Sequence, residues 1–178
     1  MTLADQLTVA RAISVPVVVV LFALDFAGHA YWGTAVFVAA MLTDQVDGWL
    51  ARRAGKTTDL GRILDPVADK VLVMATLIVL IPVLPAWMVA VIVAREFLVS
   101  GLRLAALERG VVVSARDLSK LKTWSQSVAA GLGGLAAAGA FSDDVAWWGL
   151  LAALVLTVVS GLDYAWQAPG LLRGRQAA

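Results

Sequence analysis

Long uncharged apolar runs constrain this chain more than any other feature. Residues 26–43 and 145–162 are uncharged runs of 18, 123–142 is one of 20, and 71–94 is one of 24. A helix needs about 20 mostly apolar residues to cross the hydrocarbon core of a bilayer. Pro82 and Pro85 interrupt the longest run, and their spacing predicts a tight turn between two spans. Six spans follow: 8–27, 31–53, 61–81, 86–107, 120–141 and 144–166. Arg11 stands near one end of the first, where a long side chain can snorkel to the interface. Residues 1–10 lack a positive n-region, so this span is not expected to be a cleaved signal peptide. Composition agrees: of 178 residues, 61% are hydrophobic and 15% charged, against about 25% charged in a typical soluble domain. The expected fold is an all-α integral membrane protein with six transmembrane helices, one domain over 1–178.

Several function classes fall away. The chain has no Cys, which excludes disulfides, thiolate zinc sites and cysteine nucleophiles. One His cannot build a multi-histidine metal site. With 14 basic and 13 acidic side chains the net charge is +1, which offers no field for a nucleic acid. The basic residues are nonetheless sorted. The short connections at 25–31, 81–86 and 140–145 carry no Lys or Arg, whereas 51–62 holds Arg52, Arg53, Lys56 and Arg62. Residues 103–122 hold Arg103, Arg109, Arg116, Lys120 and Lys122, and Arg173 and Arg175 follow near the end. By the positive-inside rule both termini and the two long loops are cytoplasmic. The aromatic pairs Tyr31–Trp32 and Trp147–Trp148 then read as anchors at the outer surface, with His29 in the outer loop beside the first pair. An excess of Arg over Lys, 10 to 4, with abundant Ala and Val, points to a GC-rich bacterial genome and hence to a bacterial plasma membrane. The small-residue stretch 131–139, with Gly134 and Ala138 in small-xxx-small spacing, lets helix backbones approach closely, within one chain or between two.

Any chemistry therefore rests on carboxylates. On a helix Asp44, Asp47, Gly48, Ala51 and Arg52 follow i, i+3, i+4, i+7, i+8 and share one face. Gly61, Asp65 and Asp69 form a second stripe, with Pro66 as a start or kink. Two adjacent helices can turn these stripes toward each other, which places four carboxylates around a polar cavity open to the cytoplasmic side. Four converging carboxylates repel unless cations lie between them. The all-oxygen donor set favours Mg²⁺ or Mn²⁺, and two such ions are the usual clamp for displacement at phosphorus. Gly48 and Ala51 leave room for a ligand against the helix, and Arg52 is placed to hold phosphate oxygens. The plainer alternative pairs the four aspartates with Arg52, Arg53, Lys56 and Arg62 at the interface.

These residues match the signature D-x-x-D-G-x-x-A-R-x8-G-x3-D-x3-D, with eight fixed identities over 26 residues. On them the chain resembles the CDP-alcohol phosphatidyltransferase family. The stretches 64–73, 94–103 and 120–126, and Leu7-Thr8 with Arg11 and Pro16, resemble the branch whose acceptor is glycerol 3-phosphate. The resemblance implies metal-dependent transfer of a phosphatidyl group from CDP-diacylglycerol to an alcohol, releasing CMP. It implies Asp44, Asp47, Asp65 and Asp69 as ligands of two Mg²⁺ or Mn²⁺ ions, with Asp69 also the general base. Asp47, Gly48, Ala51, Arg52 and Gly61 would border the CDP moiety. A homodimer is also implied.

A phosphorylated acceptor needs a second anion site. Glu96, Ser100 and Arg103 share a face at i, i+4, i+7, Arg95 lies about 100° round the helix, and Lys120 and Lys122 enter the fifth span. Arg103, Lys120, Lys122 and Arg95 are the expected ligands of the acceptor phosphate. Two alternatives stand beside this. Arg95–Glu96 can be a buried polar pair tied to other helices, and the lysines can be ordinary cytoplasmic-face residues meeting anionic lipid. Another acceptor (inositol phosphate, phosphatidylglycerol or serine) would use the same chemistry. A small cation or proton transporter is the rival from a different class, and it requires charged or broken-helix elements near the bilayer midplane.

Overall fold

The computed structural model describes residues 3–54, 70–108 and 117–173, with side chains over 13–43, 70–106, 121–164 and at 166. These residues form six helices: α1 (Leu3–Ala23), α2 (His29–Ala54), α3 (Lys70–Val79), α4 (Ala86–Glu108), α5 (Asp117–Ala137) and α6 (Asp143–Arg173). The described residues are thus all-α.

The connections follow from local chemistry. α1 ends at Ala23, four residues before the expected end of the first span. The chain bends over 24–28, and the His29 N–H returns to the Phe26 carbonyl at 3.1 Å. His29 is consequently the first residue of α2 rather than part of the outer loop. Between α3 and α4 the expected tight turn is present, with Leu84 N–H on the Leu80 carbonyl at 2.8 Å. Neither Pro82 nor Pro85 has an N–H to continue a helix, and the Pro85 carbonyl opens α4 by accepting from Met88 at 3.0 Å. α5 closes in a Schellman motif. Ala140 N–H bonds the Leu135 carbonyl at 2.9 Å and Gly139 N–H the Ala136 carbonyl at 2.8 Å, with Gly139 at φ 74°. That backbone conformation strains any residue with a Cβ. Asp143 and Asp144 occupy the first turn of α6, where negative charge complements the helix dipole.

α5 packs along α6 and also meets α2, α2 meets α1, and α4 meets α6. The centre of the bundle is filled by Val18, Phe37, Leu72, Leu77, Leu84, Met88, Ile92, Ala129 and Leu150. Gly134 lets α5 approach α2 within the chain: a Cβ there would lie 2.3 Å from Thr34 Oγ1.

The exterior reverses the usual order of a water-soluble protein. Phe97, Leu98 and Trp166 are 73%, 69% and 89% exposed, while Glu96, Lys122 and Gln126 are 4%, 3% and 2% exposed. Apolar surface spread over every helix, with ionisable groups turned inward, suits lipid rather than water as the surrounding medium. Among the described residues one segment, Asp143–Tyr164, is long and apolar enough by itself to cross a membrane, and Ile13–Ala23 and Lys70–Val79 are shorter apolar helices. α2 and α5 carry charges toward one end, and α4 carries Arg95 and Glu96 near its middle.

Candidate active site

The described polar centre is built around Glu96 of α4. Its carboxylate accepts hydrogen bonds from Arg95 Nη1 at 3.0 Å, from Lys122 Nζ of α5, and from Gln126 Nε2 at 3.3 Å. Lys70 Nζ of α3 stands 3.8 Å from Glu96 Oε2 and donates to Ser100 Oγ at 2.8 Å. The register explains the convergence. Glu96 and Ser100 are one turn apart on α4, as are Lys122 and Gln126 on α5, so each helix presents two polar groups to the same place.

α6 completes the cluster. Arg95 Nη2 donates to Ser160 Oγ at 2.8 Å, Gln126 Nε2 donates to Thr157 Oγ1 at 2.8 Å, and Ser160 Oγ donates to the Thr157 carbonyl at 3.1 Å. One turn further on, Arg103 Cζ lies 5.9 Å from the centre of the Tyr164 ring. Arg95 passes directly over Gly161, where a Cβ would stand 3.0 Å from Arg95 Nε. Among the described residues, three buried polar atoms of this cluster have no hydrogen-bond partner: Arg95 Nε, Arg103 Nε and the Tyr164 hydroxyl.

Of the residues expected to hold an acceptor phosphate, Arg95 and Lys122 meet at Glu96, and Arg103 lies two turns from Glu96 along α4. Lys120 is on α5, and its side chain is outside the description. The Arg95–Glu96 pair is tied to α5 and α6, as the plainer reading of that pair anticipates. Asp44, Asp47, Gly48, Ala51 and Arg52 belong to the uninterrupted helix α2, which keeps them in the register i, i+3, i+4, i+7, i+8. Gly61, Asp65 and Asp69 lie outside the described residues, and Lys70 is the next residue in the chain after Asp69. Among the described residues no group of three acids or histidines gathers as a metal site.

Sequence reasoning passed over Lys70, Thr157, Ser160 and Tyr164, and gave Gln126 no role of its own. The signal was a register: 157, 160 and 164 follow i, i+3, i+7 inside an otherwise apolar segment.

A model of the CDP-alcohol phosphatidyltransferase family matches residues 1–159. The chain belongs to the CDP-alcohol phosphatidyltransferase family. Within this family it is 44% identical over 140 residues to the CDP-diacylglycerol–glycerol-3-phosphate 3-phosphatidyltransferase of Bacillus subtilis, covering 74% of this chain and 70% of that one. It is 40% identical over 169 residues to a Mycobacterium tuberculosis protein named "Probable phosphatidylglycerophosphate synthase", covering 91% and 79% of the two chains. To the CDP-diacylglycerol–glycerol-3-phosphate 3-phosphatidyltransferase of Rickettsia prowazekii it is 37% identical over 172 residues, covering 91% and 92%.

Proposed function

We propose that this chain transfers the phosphatidyl group of CDP-diacylglycerol to glycerol 3-phosphate, giving phosphatidylglycerol phosphate and CMP. The observation that carries the reading is the agreement between the family signature and relatives named for this reaction over most of the chain. The cationic cluster supports the acceptor. Arg95, Lys122 and Lys70 converge on one carboxylate, and such a positive site is suited to a phosphate.

The acceptor hydroxyl attacks the phosphorus that bears the diacylglycerol. A bond to that phosphorus forms as its bond to the CMP phosphate breaks, and CMP leaves with the bonding electrons. Asp69 takes the hydroxyl proton. Asp44, Asp47, Asp65 and Asp69 would hold two Mg²⁺ or Mn²⁺ ions. The donor set is all carboxylate oxygen, which fits these hard cations, and the unbroken α2 keeps Asp44 and Asp47 one turn apart. When bound, the ions would neutralise the diphosphate and the charge developing on CMP. Gly48, Ala51, Arg52 and Gly61 border the CDP moiety. Arg103, Lys120, Lys122 and Arg95 hold the acceptor phosphate.

In this reading six helices span the plasma membrane of a bacterium, with the cavity and both termini cytoplasmic. The chain acts as a homodimer on substrates that meet at headgroup depth. The apolar exterior supports the membrane placement.

The test is CMP release from CDP-diacylglycerol by the purified protein in detergent, with glycerol 3-phosphate or inositol phosphate, each with Mg²⁺ or with EDTA. Release that needs both glycerol 3-phosphate and metal is expected. Release with inositol phosphate alone would replace the acceptor, and no release with any acceptor would overturn the enzyme reading.

A further inference from the structure

We infer that Tyr164 is a specificity-determining residue of the acceptor site, its hydroxyl donating a hydrogen bond to the acceptor phosphate beside the Arg103 guanidinium. The inference rests on the function proposed above and adds a ligand from α6. The family match ends at residue 159, so Tyr164 lies beyond the matched segment.

Three observations carry it. Among the described residues the Tyr164 hydroxyl and Arg103 Nε are both buried with no hydrogen-bond partner. A buried polar group left unpaired is costly, and native structures satisfy nearly all of them. Two donors left open on facing helices are satisfied together by one ligand with several acceptor oxygens, which a phosphate monoester provides. The Tyr164 ring also lies under the Arg103 guanidinium at 5.9 Å. Such stacking fixes the direction of an arginine before its ligand arrives.

Depth is the third observation. Asp143–Tyr164 spans 22 residues, about 33 Å of helix, which matches the roughly 30 Å hydrocarbon core. Tyr164 therefore sits at the end of the apolar segment of α6, opposite the short connection 138–142. That is the side where α5 begins, with Lys122 in its second turn, and where a water-soluble acceptor enters. Thr157, Ser160 and Tyr164 form a single stripe on α6. The first two engage Gln126 and Arg95, which leaves Tyr164 as the member of the stripe whose polar atom is open.

The experiment measures both substrate KM values for the wild type and Tyr164→Phe in detergent, with inorganic phosphate as a competitive inhibitor. Phe keeps the ring under Arg103 and removes only the donor. Expected is a rise of about tenfold or more in the glycerol 3-phosphate KM, a parallel weakening of phosphate inhibition, and an unchanged CDP-diacylglycerol KM. Tyr164→Leu, which also removes the ring, is expected to raise the acceptor KM further. An unchanged acceptor KM in Tyr164→Phe would overturn the inference while leaving the proposed function intact. A lowered thermal midpoint with both KM values unchanged would make the residue structural, and a rise in the CDP-diacylglycerol KM alone would move it to the donor site. A wild type without glycerol 3-phosphate-dependent CMP release would remove the proposed function and this inference with it.

Discussion

Glu96 on α4 and Lys122 on α5 form an ion pair with both side chains almost wholly buried, 5% and 4% exposed. Taking two charges out of water costs several kcal/mol per ion, and the attraction between them repays it only when further hydrogen bonds complete the shell. Glu96 has those bonds from Arg95 and Gln126. It is the common counter-ion of Lys70, Arg95 and Lys122, and it holds three helices at one point. Glu96→Gln keeps the shape and removes the charge, so three cations then face each other without it. The expected loss is about 3 kcal/mol of stability, read as a lower thermal unfolding midpoint in detergent. Lys122→Met should cost less, because Glu96 keeps Arg95 and Gln126. Equal midpoints for Glu96→Gln and the wild type would contradict this role.

Arg95 is aimed by α6 rather than by its own helix alone. Ser160 accepts from its Nη2, and the bare Cα of Gly161 lets the side chain pass. Ser160→Ala removes a hydrogen bond to a charged group, worth about 1.5–3 kcal/mol. Gly161→Ala places a methyl 3.0 Å from Arg95 Nε and 3.3 Å from its Cγ. Both substitutions should raise the glycerol 3-phosphate KM by about tenfold and leave the CDP-diacylglycerol KM unaltered. Steady-state kinetics with each substrate varied in turn would separate the two. A uniform fall in kcat with fixed KM values would count against the assignment.

Much of this chain was legible before its structure was known. The turn at Pro82 and Pro85, the starts of α2, α4 and α6 to within two residues, and the family itself follow from apolar runs and a spaced set of aspartates. The end of α1 was placed four residues late: Asp25 and Gly28 are turn residues, but Leu24, Phe26 and Ala27 beside them let the apolar run be read on to Ala27. The α6 stripe was hidden for a related reason. Thr157, Ser160 and Tyr164 are diluted among Val, Leu and Ala, and only the partners on α4 and α5 show that they belong together. Glu96 illustrates a different limit: the sequence places it beside Arg95, but not against Lys122, which is 26 residues away.

The α2–α5 contact at Gly134 gives a prediction about folding alone. A Cβ at 134 would meet Thr34 Oγ1 at 2.3 Å and Phe22 Cζ at 3.2 Å, and Thr34 is held by its bond to the Ala30 carbonyl at 2.7 Å. Gly134→Ala should destabilise the protein by about 1–3 kcal/mol through overpacking. The double variant Gly134→Ala with Thr34→Ala should recover part of that loss, since the closest atom is gone. Thermal unfolding of the four proteins in one detergent checks this, and additive effects would argue against direct contact.

Asp69→Asn tests the proposed proton acceptor and metal ligand together. Loss of a general base typically costs about 10²–10⁴ in rate, so CMP release should fall at least that far while the thermal midpoint stays near that of the wild type. EDTA should silence the wild type, and added Mg²⁺ should restore it. Full activity in Asp69→Asn would remove this residue from the chemistry.

The most direct test of the account follows the acceptor atoms into the product. Purified protein in detergent is given CDP-diacylglycerol, Mg²⁺ and radiolabelled glycerol 3-phosphate, and the chloroform-soluble lipid is separated and counted. The account predicts label in phosphatidylglycerol phosphate in one-to-one amount with CMP, and none with EDTA or in Asp69→Asn. Label that stays in the aqueous phase while CMP is released would show that glycerol 3-phosphate is not the acceptor and would contradict the central claim.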